Sequence, residues 1–290
     1  MSDRAPLPDR RRHAWRDDLA DACLRGIVEV PRYVEGRPLV VNVPLLRCHS
    51  RPSRDAPIDT EFLYGEPLQE LEAADGWSWV QSQRDGYVGY VDGSSLRPPE
   101  PDVAATHRVA VPLALVFPSP SIKVPPGPSL PFGSILHVQA TEVVGTERFH
   151  RTAVGHILAQ HLAPIDRPAD DWVAVARTFV GAPYLFGGKT WDGIDCSALV
   201  QLALQAAGRD APRDSDMQAA ELGTLMDADP GALRRGDLVF WPGHVGIMLD
   251  EARLLHANGH RMMVAIEPLA QTMERLEHKL GLTPTAFRRP

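Results

Sequence analysis

The stretch VNVPLLRCHSRPS, from Val41, aligns with VAVPLALVFPSPS, from Val109, at an offset of 68 residues, and the same offset pairs Gly65 with Gly133 and Leu68 with Leu136. At an offset of 66 the correspondence continues through Gly89 and Gly155, then Leu96 and Leu162. A tandem duplication with a period of about 60 to 70 residues constrains the fold strongly, because each copy must close a small core of its own. Within the copies, short runs such as WSWV and YVGYV are rich in aromatic and β-branched residues and are broken by Gly, Asp and Pro. That pattern predicts small antiparallel β-barrels, one over residues 39–98 and one over 105–165. The Pro-rich joint RPPEPD separates them, and APIDRPADD leads out of the second.

Beyond that exit the period changes. Trp172, Val175, Ala176 and Phe179 recur at helical spacing behind Asp170 and Asp171, acids that suit a helix N-terminus. A second helix is expected over CSALVQLALQAAG, with Asp195 as its N-cap, Leu199, Val200, Leu202, Ala203 and Ala206 as its apolar face, and Gly208 at its end. The segments DLVFW, HVGIML, RLLHAN and MMVAIEPL then read as consecutive antiparallel strands, the first two turned by Pro242-Gly243. Residues 169–290 are therefore expected to form an α+β domain, helices first and sheet second. In the leading segment, 1–38, the spacing of Leu19, Cys23 and Ile27 predicts a short helix packed against that domain.

A formal net charge of −7 argues against the cationic face that a phosphate backbone requires, so nucleic acid is not an expected partner. The N-terminal residues mix acids with Arg10, Arg11 and Arg12 and lack the apolar centre of a secretory signal, and no run is long enough to span a bilayer. The expected location is cytoplasmic, away from the membrane. Three widely separated cysteines, Cys23, Cys48 and Cys196, do not make a disulfide framework and leave at least one free thiol.

Cys196 stands out among them, since it falls in the first turn of a predicted helix after a glycine-rich approach. Helix N-terminal amides favour a thiolate, and a thiolate attacks carbonyls. A small buried hydrophobe is the competing account of that cysteine. A nucleophile needs a base and the base needs an orienting group. His244 and His256 fall on neighbouring predicted strands and can supply both, whereas His260 and His278 are assigned to the surface. No close ligand pair is present to favour zinc, and no cofactor is called for. Trp77 and Trp79 are expected in the first barrel's core.

PYLFGGKTWDGIDCSALVQ, PRDSDMQ, RRGDLVFWPGHVGIML and LLHANG resemble, in that order, the motifs of the NlpC-type cysteine peptidases, papain-like hydrolases that cut bacterial cell-wall peptides. The resemblance implies Cys196 as nucleophile, His244 as general base, His256 as the residue orienting it, and Tyr184 as an aid to the oxyanion. Where the family commonly has glycine two positions after the cysteine, this chain has Ala198, a methyl expected to narrow the floor of the cleft. Two SH3-like barrels ahead of such a domain resemble a subgroup of γ-D-glutamyl-L-diamino acid endopeptidases that trim free murein peptides after L-Ala-γ-D-Glu. That subgroup implies Tyr87 closing one end of the cleft and Asp214 and Ser215 meeting the substrate's free amine. Asp195, beside the nucleophile, and Glu61, an acid of the first barrel, are further candidates for substrate contact. Another thiol amidase or acyltransferase of the same fold, and a non-catalytic wall-binding protein, stand as alternatives.

Overall fold

A computed structural model describes residues 6–227 and 229–290. Among these, no helix is long and apolar enough to cross a membrane. The chain forms two compact units: the first runs to Arg108 and takes in Leu115–Leu130 and Ser134–Ala159, and the second holds Val109–Ala114, Pro131–Gly133 and Gln160–Pro290.

The first unit is built on a seven-stranded sheet from β1 (Arg37–Val41), β2 (Leu45–His49), β3 (Ile58–Leu63), β4 (Pro67–Ala74), β5 (Trp77–Ser82), β6 (Val88–Asp92) and β7 (Leu96–Arg97), in the order β3-β2-β6-β5-β4-β1-β7. Alternation along these strands sends Val41, Leu46, Cys48, Phe62, Leu68, Val80 and Val91 into one core. Trp79 is enclosed at 3% exposure, whereas Trp77 is half-buried and meets His49 edge to face.

The leading segment departs from the helix expected of it. Leu19–Asp21 is a strand paired in parallel with Arg32–Val34, followed by a single 3-10 turn over Ala22–Leu24. Asp21 accepts a hydrogen bond from the Cys23 N–H, and Gly26 turns at φ +86°, so the backbone is diverted before a helix can propagate. Leu19 packs with Ala14, Leu71 and Trp79 of the first unit rather than with the expected α+β domain, and Ile27 is exposed.

The tandem repeat reappears as matched backbone geometry. The N–H of Gly65 donates to Val41 O and that of Gly133 to Val109 O, at 2.9 and 3.0 Å, both glycines having φ above +75°. Likewise Tyr64 N–H donates to Pro44 O, and Phe132 N–H to Pro112 O. A Cβ on Gly65 would lie 2.0 Å from the carbonyl oxygen of Ile135, so glycine is required there on two grounds. Residues 105–165 are divided between the units, however, and their aromatic residues divide with them. Phe117 packs against Phe149 in the first unit, on a three-stranded antiparallel sheet of β8 (Ala140–Val144), β9 (Glu147–Thr152) and β10 (Gly155–Leu158), while Phe132 packs against Phe179 in the second.

The second unit has α1 (Trp172–Arg177), α2 (Cys196–Ala206), α3 (Ser215–Glu221) and α4 (Leu269–Leu280), with a sheet of β11 (Thr224–Met226), β12 (Leu238–Trp241), β13 (His244–Met248), β14 (Arg253–Asn258), β15 (Met263–Pro268) and β16 (Ala286–Arg289). Its order is β11-β16-β12-β13-β14-β15, antiparallel throughout. The expected strand sequence is present, but the order of helices first and sheet second is not: α4 lies between β15 and β16. Leu269, Met273 and Leu276 of α4, at i, i+4 and i+7, cover Val239, Trp241, Met248 and Leu254, and Gly281 ends the helix at φ +68°. Helix α2 packs against β13 and β14 and is buried nearly all round.

Candidate active site

The glycine-rich approach to Cys196 is a close-packed hairpin. Gly187 turns at φ +78°, and a Cβ on Gly188 would meet the Gly193 carbonyl oxygen at 2.4 Å. This geometry lets the chain enter α2 with Asp195 at the N-cap, accepting from Ala198 N–H at 2.8 Å and from Gly187 N–H at 2.9 Å. Arg213 closes on the same carboxylate with two hydrogen bonds and donates a third to Ser197 Oγ, while being 1% exposed. Gln218 of α3 ties the loop to the helix by donating to Ser197 O and Pro212 O. The motif PRDSDMQ thus supplies the brace beneath the first turn of α2. Asp195, expected to meet substrate, has both oxygens committed inside the protein, which makes it a positioning group for the helix terminus.

Cys196 begins α2, 6% exposed, with the Val245 N–H of β13 hydrogen-bonded to its thiol. Burial, reinforced by the negative charge of Asp195, pushes that thiol up to about 12, against the opposing pull of Val245 N–H, Arg213 and Ser197 N–H. A helix terminus is worth about 0.3–1 kcal/mol, less than one pKa unit at about 1.4 kcal/mol each. Removal from water therefore outweighs the helix, and the resting sulfur is a thiol rather than the thiolate that its helical position suggested. Ala198, expected to narrow the cleft, is fully enclosed in the helix packing, so its methyl presents no accessible surface.

His244 Nε2 lies 2.8 Å from His256 Nδ1, and His256 Nε2 lies 2.9 Å from Glu267 Oε2. The strand register explains the alignment: Leu254 pairs with Glu267 and His256 with Ala265, so both side chains rise from one face of neighbouring strands. Trp241 pairs with His244 across β12 and β13 and stacks on it at a tilt. Glu267 also accepts from Arg275 of α4 with both oxygens and from Arg261 Nε. Although burial raises its pKa, these donors prevail and hold the carboxyl at about 2. Burial lowers His256, against the pull of Glu267, and lowers His244 to about 3, aided by His256 and Arg275. Both imidazoles are neutral at ordinary pH.

Tyr184 precedes the hairpin and bridges to Ile194 at its far end, its N–H donating to Met262 O. Burial and the neighbouring Cys196 and Asp195 push its hydroxyl up to about 12, keeping it a proton donor. Asp214 occupies the N-cap position of α3 without capping it through its side chain, and Ser215 opens the helix. Tyr87 and Glu61 belong to the first unit, at 5% and 1% exposure, Glu61 lying 3.8 Å from Arg47 Nε. His260 and His278 are exposed. Among the described residues no group of three His, Cys, Asp or Glu is placed to hold a metal ion. Sequence reasoning missed Arg213, Gln218 and Glu267. The first two sit inside a motif already singled out, whereas Glu267 is a lone acid on an apolar strand and gave no signal of its own.

Comparison with known proteins gives matches in both units. The pattern of the bacterial dipeptidyl-peptidase SH3 domain matches residues 48–96, and that of the NlpC/P60 family matches residues 181–277. The dipeptidyl-peptidase 6 of Lysinibacillus sphaericus is 25% identical over 86% of this chain and 97% of its own length. The gamma-D-glutamyl-L-lysine dipeptidyl-peptidase of Bacillus subtilis is 28% identical over 77% of this chain and 80% of its own. In fold, the chain resembles the crystal structure of an NlpC/P60 family protein from Bacillus cereus, with a TM-score of 0.72 at 19% identity, over 87% of this chain and 99% of that one. The chain therefore carries an NlpC/P60-type cysteine peptidase domain, which holds Cys196, His244 and His256, behind a bacterial SH3 domain.

Proposed function

We propose that the protein is a cysteine endopeptidase that cleaves the γ-D-glutamyl-L-diamino acid bond of free murein peptides, acting behind two SH3-like barrels from a papain-like domain. The relay of two neutral imidazoles, in the domain whose α2 begins at Cys196, carries this reading, and the name of the Bacillus subtilis relative suggests the bond. The tautomers follow from elementary bonding. An ionised Glu267 only accepts, so His256 donates from Nε2, its Nδ1 accepts from His244 Nε2–H, and His244 Nδ1 is left as the basic lone pair.

In the mechanism, His244 Nδ1 takes the Cys196 thiol proton as the sulfur adds to the γ-glutamyl carbonyl carbon. The Cys196 N–H and the Tyr184 hydroxyl stabilise the oxyanion. The C–N bond breaks as the imidazolium gives its proton to the diamino-acid amine. Water, deprotonated by the same histidine, then hydrolyses the thioester and releases L-Ala-D-Glu. Asp214 and Ser215 are assigned to the substrate's ammonium group, which needs acceptors once removed from water. Tyr87 and Glu61 are assigned to substrate contact by resemblance. Cytoplasmic peptide recycling agrees with three free thiols, one of them, Cys23, exposed.

Mass spectrometry of L-Ala-γ-D-Glu-meso-diaminopimelate and of its N-acetylated counterpart, each incubated with the protein, tests the reading. Release of L-Ala-D-Glu from the free peptide alone is expected, and is to be abolished in Cys196→Ala. Cleavage of both peptides would remove the amine specificity, and cleavage by the alanine variant would remove the nucleophile. Tyr87→Ala, Glu61→Gln and Asp214→Asn in the same assay are expected to lower the preference for the free amine.

A further inference from the structure

Beyond the cysteine and its two histidines, the geometry points to Glu267 as a positioning residue that sets which nitrogen of His244 carries the proton, acting through His256. This rests on the peptidase reading, in which His244 Nδ1 must be bare. A neutral histidine pair has two self-consistent arrangements, both protons on Nε2 or both on Nδ1, and the 2.8 Å contact between the rings is satisfied by either. What distinguishes them is the atom facing His256 Nε2. Here it is Glu267 Oε2, an acceptor with no proton to give, so only the arrangement with both protons on Nε2 is bonded throughout.

The carboxylate is itself held in place. Arg275 Nη1 and Nη2 meet its two oxygens at 3.1 and 2.8 Å, Arg261 Nε meets Oε1 at 3.2 Å, and Glu267 is 4% exposed. Oε1 thus receives two fixed donors, whereas Oε2 receives one fixed donor and the histidine. The charged groups acting on the two rings are Glu267 from β15 and Arg275 from α4, and Arg261, from the loop before β15, holds the same carboxylate.

Glu267→Gln makes the inference testable because of that asymmetry. An amide placed with its oxygen toward the two donors on the Oε1 side makes fewer donor–donor conflicts than the reverse, and it turns its NH2 toward His256 Nε2. His256 then accepts at Nε2 and donates from Nδ1, and His244 must accept at Nε2 and carry its proton on Nδ1, where the thiol proton has to go. A mismatched tautomer deprives the cysteine of its base without removing any catalytic group.

Nitrogen-15 NMR of histidine-labelled resting protein reads the tautomers directly. Nε2–H on both His244 and His256 is expected in the wild type, and Nδ1–H on His244 in Glu267→Gln, with kcat lowered on the order of 10- to 100-fold and KM little changed, by analogy with lost outer-shell partners of histidine. Arg275→Gln, which loosens the clamp but leaves the carboxylate before His256, is expected to keep the wild-type tautomers. Nδ1–H on His244 in the wild type overturns the proposal even if Glu267→Gln does not fold, and so does an unchanged tautomer and kcat in a folded Glu267→Gln. The NMR readout needs no substrate, so it is separate from the peptide assay and Cys196→Ala, whose failure would count against the peptidase reading instead.

Discussion

Arg213 grips Asp195 through two hydrogen bonds, of 2.9 and 2.6 Å, with both side chains enclosed beneath the first turn of the helix that begins at Cys196. The pair holds the N-cap carboxylate where it satisfies Ala198 N–H, and so fixes the start of α2. Removing one partner of a buried pair leaves an uncompensated charge. Arg213→Leu is expected to destabilise the protein by about 3–5 kcal/mol, read by denaturant unfolding, whereas a cost below about 1 kcal/mol would show that Asp195 is solvated without it.

The high pKa of Cys196 makes a different prediction for reactivity. Iodoacetamide modification of Cys196, taken as the difference between the protein and its Cys196→Ala variant, is expected to be slow at neutral pH and to climb through the alkaline range. A rate that has already reached its plateau below neutrality would reveal a resting thiolate–imidazolium pair and contradict the neutral pair described here.

Acid stability follows from His244 and Glu267. In the unfolded chain His244 has its ordinary value of 6.5, and in the folded protein about 3, so its contribution is complete above 6.5 and is lost as pH falls from 6.5 toward 3. Glu267 contributes fully above its ordinary 4.5 and loses that contribution as pH falls from 4.5 toward 2. The melting temperature is expected to decline in two overlapping stages on acidification, the first absent in His244→Asn. A melting temperature flat across both ranges would mean that neither site is shielded from water.

Leu19 offers a test of the leading segment. It is fully buried among Ala14, Leu71 and Trp79, so Leu19→Ala is expected to cost about 2–5 kcal/mol. An effect under about 1 kcal/mol would show that the segment docks without using this contact.

The sequence was most informative where an apolar run is bounded by turn or cap residues. DLVFW, HVGIML and RLLHAN are short, nearly unbroken apolar runs that mark real strands because both faces of the sheet are covered there, and α2 begins at the cysteine because Asp195 caps it. Its limits were physical. The spacing of Leu19, Cys23 and Ile27 imitates a helix, yet Asp21 and Gly26 redirect the backbone into β pairing. Helix α4 carried its apolar stripe and Gly281 openly, whereas AFRR of β16 is too short and basic to read as a strand without its partners. At the site, Cys196, His244 and His256 are distinctive residues, but Glu267 and Arg213 acquire meaning only through what folding places against them.

The position of β16 has a consequence for biosynthesis. Ala286–Arg289 lies between Thr224–Met226 and Leu238–Trp241 in the sheet, so this interior strand follows all its neighbours in the order of translation. A ribosome that has already made Cys196, His244, His256 and Glu267 has produced all four of these residues while the sheet still has a gap. The six-stranded sheet is complete only once translation has passed residue 289, and a chain cut short before Ala286 carries Cys196, His244, His256 and Glu267 without the strand that joins Thr224–Met226 to Leu238–Trp241.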